Sequence, residues 1–146
     1  MVTVELERSK GYVIQNFPEL KDVPTDLPER PLVYLREALA TVAHPSACIM
    51  ACASAVDAML KLKGLTGGTI NARINTAAEQ HIITQDMAAW AHQIRLDAND
   101  QRHADLAAPL PTLEDASRCV AFATVLAELL FSLPTRVTRG IEGKAS

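Results

Sequence analysis

Ala47-Cys48-Ile49-Met50-Ala51-Cys52-Ala53-Ser54-Ala55-Val56-Asp57-Ala58-Met59-Leu60-Lys61-Leu62-Lys63 decides the fold. Ile49, Val56, Met59 and Leu60 recur at helical spacing, and the alanines between them let other helices approach closely. His44-Pro45-Ser46 interrupts the chain before this run, and Gly64, Gly67 and Gly68 close it. The same period continues on both sides. Upstream, Pro31 suits a first helical turn, and Leu32, Leu35, Leu39 and Val42 form one stripe. Downstream, Ile74, Ala77 and Ala78 mark a third helix over about 70–81. Thr84 suits an N-cap for a fourth, with Asp86 in its first turn and Met87, Trp90, Ala91 and Ile94 inward. Pro109 and Pro111 interrupt, and Thr112-Leu113-Glu114-Asp115 then has the form of a capping box. It opens a last helix carrying Phe122, Leu126, Leu129 and Leu133, with Pro134 expected to stop it. So little of that helix is polar that it belongs in the centre or under a partner subunit. The expected fold is an all-α bundle of about five helices.

Bulk composition sets the class. A chain of 146 residues that is 49% hydrophobic and 4% aromatic forms one domain whose core rests on Ala, Leu, Val, Ile and Met. A formal charge of −3 argues against a dedicated duplex-binding protein, whose surface is strongly basic. Three cysteines, without a Cys-x-x-Cys pair or His/Cys zinc spacing, read as buried thiols in a reducing compartment. The amino terminus shows no secretory pattern, and the apolar stretch Cys119 to Leu133 is broken by Thr124, Glu128 and Ser132. A cytoplasmic protein without membrane contact is expected.

Val2, Val4 and Leu6 alternate with Thr3 and Glu5, as in a short strand that must pack on the main body or on a second subunit. Pro18, Pro24, Pro28 and Pro31 make the following stretch extended. Residues 1–27 are thus an N-terminal extended segment and linker, 28–140 the helical domain, and 141–146 a flexible tail.

The chemistry concentrates in Ile94 to His103. Arg95, Asn99 and His103 stand at i, i+4 and i+8, about 80° from first to last on a helix. A guanidinium, an amide and an imidazole on one face suit a phosphodiester, and the imidazole can also move a proton. His92, three residues before Arg95, could join that face. Structural readings stand beside these: Arg95 paired with Asp97 or Asp100, Asn99 capping a helix end, His103 facing solvent. No phosphate loop appears, because Gly64 to Gly68 lacks the Lys-Ser/Thr ending, and Ser54 and Ser117 have no base nearby. No cofactor and no metal are called for. Two functions compete. One is an interaction or regulatory module with a phosphate- or nucleic-acid-binding site, a homodimer or a partner of another protein. The other is a metal-independent endoribonuclease in which a dimer brings two Arg95/Asn99/His103 sets to one RNA strand.

The order of these features resembles the domain-of-unknown-function family 4145, a branch of the HEPN-like all-helical proteins. The resemblance rests on Val33-Tyr34-Leu35-Arg36-Glu37-Ala38-Leu39, on Ala55-Val56-Asp57-Ala58-Met59-Leu60-Lys61 and on Ile82-Ile83-Thr84. It continues through Trp90-Ala91, Ile94-Arg95, Asn99 and His103 to Leu130-Phe131-Ser132-Leu133-Pro134. It covers about Phe17 to Val137 and implies a helical bundle and frequent dimerisation. In some HEPN relatives it also implies metal-independent RNA cleavage. The chain departs from the pattern at Ala53 and Ser54, where basic residues are common, and at Ala98, where a glycine is usual.

Overall fold

The chain marks its own helix boundaries. In the computed structural model, which describes residues 23, 24 and 26–145, they enclose α1 (Glu29–Ala40), α2 (Pro45–Leu62), α3 (Ile70–Glu79) and α4 (Gln85–His103). A fifth helix runs as α5 (Leu113–Ala127), a π turn (Glu128–Ser132) and α6 (Leu133–Ala145). No strand occurs among the described residues. The expected N-terminal strand lies outside them.

Three threonines start helices by the same chemistry. The side chains of Thr69, Thr84 and Thr112 accept from the backbone N–H groups of Ala72, Met87 and Asp115 at 3.2, 3.0 and 3.1 Å. Asp115 returns the bond by accepting from the Thr112 N–H at 2.8 Å, which completes the capping box. The helix ends use left-handed residues. Gly64 follows α2 at φ +93°, with Leu65 N–H donating to the Leu60 carbonyl and Gly64 N–H to that of Lys61. This pairing satisfies two orphan carbonyls and turns the chain sharply. His81 repeats the geometry after α3 at φ +60°, so it sits just beyond the helix rather than within its last turn.

α2 is the axis of the bundle. It packs on α1, α3, α4 and α5, and buries Cys48, Ile49, Cys52, Ala55, Val56, Ala58, Met59 and Leu60. With few aromatics available, alanines bring the helices together, and one ring pair packs between α4 and α5. Phe122 of α5 is fully buried against Trp90 of α4, ring centroids 4.9 Å apart. All three cysteines are free and buried, as their apolar setting suggested. Burial, with the Asp97 carboxylate adding to it, pushes the Cys119 thiol up to about 12.

Pro134 does not stop the last helix, which continues to Ala145 through residues read as a tail. Proline inside a helix clashes with the carbonyl four residues back and has no N–H to donate. Here the preceding turn is widened, with Leu133 N–H donating to the Glu128 carbonyl five residues back. The widened turn gives the ring room, and the chain stays helical. By length and composition α2 and the last helix could each cross a membrane. A central helix has the same composition, and about half of each apolar window is buried in the bundle, 44% and 50% respectively.

Asp97 on α4 lies close to Asp115 and Arg118 of α5. Burial raises its pKa, the charges of Asp115 and Asp100 raise it further, and Arg118 opposes them. The folded chain therefore holds this proton to higher pH than the unfolded chain, and stability falls as pH rises through that window. Asp97→Asn is expected to raise the urea midpoint at neutral pH. The gain should vanish below the ordinary aspartate range, where both forms are neutral; an equal gain at every pH would contradict this.

Candidate functional site: a basic groove between three helices

α2, the first turn of α3 and the C-terminal half of α4 enclose an open groove of about 700 Å³. Met50, Ala53, Ser54 and Asp57 form one wall, and Arg95, Ala98, Asn99 and Arg102 form the other. Thr69, Ile70, Asn71 and Arg73 close one end. The small side chains of Ala53 and Ala98 keep the walls apart. Ser46 at the start of α2 donates to the Gln101 side chain at 2.8 Å and ties the two walls together.

The acidic end is already neutralised. Arg73 is only 7% exposed, and its Nε and Nη2 donate to the two carboxylate oxygens of Asp57 at 2.8 and 3.1 Å. Its Nη1 donates to the Gly68 carbonyl at 2.6 Å, and Lys61 pairs with the same carboxylate at 3.2 Å. Two cations on one carboxylate leave no net negative charge there. The forked guanidinium also locks the loop before α3 to α2. Gly68 adopts φ +73°, and a Cβ there would lie 3.2 Å from that of Ala72, so glycine suits this close turn.

The basic wall is oriented by a histidine. His92 shares a 2.9 Å hydrogen bond with Asn75 Oδ1 through Nε2, and its Nδ1 accepts from Arg95 Nε at 3.2 Å. Since Nδ1 accepts, the proton belongs on Nε2 and the ring is neutral. Burial lowers the pKa of His92, and the Arg95 charge lowers it further. Asn99 accepts from Arg102 Nη2 at 3.1 Å. Among the described residues neither Arg95 nor Arg102 forms an ion pair with a carboxylate.

Of the three residues singled out in the sequence, Arg95 and Asn99 line the groove. His103 is the last residue of α4, exposed, and is not among the lining residues. Arg102 takes the third place. Seven residues rotate a helix to within about 20° of the starting direction, whereas eight overshoot by about 80°. That arithmetic could have found Arg102, and the three-residue spacing to Arg95 did point to His92. The Asp57–Arg73 pair joins positions sixteen residues apart across a loop, and no local pattern announces it. Among the described residues no group of three or more His, Cys, Asp or Glu side chains could hold a metal ion.

Fold and groove together define a class: a small all-α bundle with a basic, solvent-open cleft. The profile of the family described as Domain of unknown function (DUF4145) matches residues 36–144, and the chain belongs to that family. No curated protein and no solved structure matches it.

Proposed function

We propose that the groove binds a phosphate-bearing ligand and that the protein is a binding module. One observation carries this reading. Arg95, Asn99 and Arg102, on one face of α4, line a groove whose only carboxylate among the described residues is already paired with Arg73 and Lys61. Two guanidinium groups that pair with no carboxylate among the described residues, together with an amide, can donate to the oxygens of one or two phosphates. The positive end of α3 borders the same space. The ligand is either a nucleotide or a stretch of single-stranded nucleic acid, two sources of the same chemistry. Placement among HEPN-like proteins belongs to this proposal.

Titrating the full chain with a fluorescent single-stranded RNA, and separately with a nucleoside triphosphate, distinguishes the two. For the RNA, neutralising two phosphates predicts a log–log salt slope of about −1.4. The double variant Arg95→Ala/Arg102→Ala is expected to weaken binding about a hundredfold or more, since each charge-assisted bond is worth about 1.5–3 kcal/mol. No binding of either probe at low salt, or binding the double variant retains, would end the proposal. Gel analysis of the same RNA after incubation decides the endoribonuclease reading of Arg95, Asn99 and His103. Intact RNA leaves binding alone, whereas cleavage lost in His103→Ala would install catalysis.

A further inference from the structure

His92 is not among the residues that line the groove, yet it fixes one that is. Its half-buried ring bridges α3 and α4, with Nε2 2.9 Å from Asn75 Oδ1 and Nδ1 3.2 Å from Arg95 Nε. The amide oxygen of Asn75 only accepts, so the ring proton stays on Nε2 and Nδ1 keeps the lone pair that Arg95 needs. Among the described residues this is the one hydrogen bond of the Arg95 side chain, and both of its Nη groups are left for a ligand. Arg102 is held in the same way by the residue three positions before it, but that residue is Asn99, whose amide does not titrate. One guanidinium of the basic wall thus depends on a titratable acceptor, and the other on a permanent one.

We propose, on the phosphate-binding reading of the groove, that His92 is a positioning residue that makes binding pH-dependent: the neutral ring holds Arg95 in the groove wall, and the protonated ring releases it. Protonation turns Nδ1 into a donor, so two N–H groups of like charge face each other and Arg95 swings away. Burial, and then the Arg95 charge, already disfavour the charged ring. Other charges on the helices that pack on α4 are engaged elsewhere. Asp57 of α2 pairs with Lys61 and with Arg73 of α3, while Arg118 of α5 pairs with Glu114 and Asp115 and bears on Asp97. Lys63, just past α2, lies over the Phe131 ring, and Glu79 and His81, at the end of α3 and just beyond it, are exposed. The sign opposes simple attraction. An added imidazolium charge outside the groove acts on an anion through screening solvent, whereas Arg95 donates to it directly. Acidification therefore weakens binding.

Two measurements on the full chain test this, the first without ligand. Between about pH 8 and about pH 5 the Arg95 Nε–H resonance should shift with the same midpoint as the His92 ring. Over the same range, binding of single-stranded RNA should weaken about tenfold across that midpoint. The log–log salt slope should move from about −1.4 to about −0.7, one phosphate contact fewer. With the nucleoside triphosphate as probe the same tenfold loss is expected. His92→Ala should bind at the weaker level at every pH. His92→Gln, whose amide can accept from Arg95 and donate to Asn75, should recover most of that loss and keep it in acid. The profile of His92→Gln also removes any contribution from titration of the probe. An Arg95 resonance indifferent to the ring overturns the proposal, as does binding that strengthens on acidification or a pH profile that His92→Gln retains. Binding at no pH ends the groove reading and this one with it, whereas binding without the pH dependence ends only this one.

Discussion

Asp57→Ala is expected to destabilise the protein by about 3 kcal/mol and to deform the groove. The substitution removes both carboxylate oxygens from Arg73, a side chain only 8% exposed, which then keeps its charge with carbonyl partners alone. Breaking a buried pair by deleting one member typically costs about 3–5 kcal/mol, because the survivor stays desolvated. Asp57 is itself 23% exposed, and water reaching the gap places the effect at the lower end. Urea denaturation measures it. The double variant Asp57→Leu/Arg73→Met should recover most of the loss, since neither charge is then buried alone. A single variant as stable as the parent would show that the pair contributes nothing. On the proposed binding function, a lost groove shape should appear as weaker binding of the RNA or nucleotide probe in Asp57→Ala although the variant removes a negative charge, the opposite of what simple electrostatics predicts.

Phe122→Ala should cost about 3–5 kcal/mol, the range for emptying an aromatic site in a closely packed core. Phe122 is fully buried, packs tilted against Trp90 and lies on the helix that packs along α2. In a chain with three phenylalanines and one tryptophan, no second ring stands ready to fill the hole. Thermal unfolding should show the loss as a lower midpoint, with Trp90 fluorescence altered already in the native state. An unchanged midpoint would mean that the helices close over the gap, which the short alanine contacts of α2 make difficult.

Much of the fold can be read locally. The thread of Ile49, Val56, Met59 and Leu60 marks α2, and all four are buried. Thr84 and Thr112 cap their helices as their positions suggest. Inward positions on α4 follow the same logic: Ala91 and Ile94 are buried and Trp90 packs on the core. These features depend on chemistry within one or two turns, where hydrogen bonding and side-chain period leave few choices.

The candidate groove is half legible. Arg95 and Asn99 stand out in the sequence and line it, but a choice between residues seven and eight positions away depends on which direction the groove faces. That direction belongs to α2 and α3, not to α4. Pro134 fails to end the helix for a related reason. Its steric demand is local, yet the wider turn that meets it also holds Ser132, buried and donating to Asp26 at 2.8 Å across 106 positions.

By itself, the order of residues determined that this chain is helical, where three of its helices begin, and that its thiols turn inward. Tertiary structure alone decided that Arg102 joins Arg95, that Asp57 is spent on Arg73, and that the last helix runs on past its proline. The physical reason is range. Period and capping act over a few residues, while a groove's charge and a helix's continuation depend on groups brought together from distant parts of the chain.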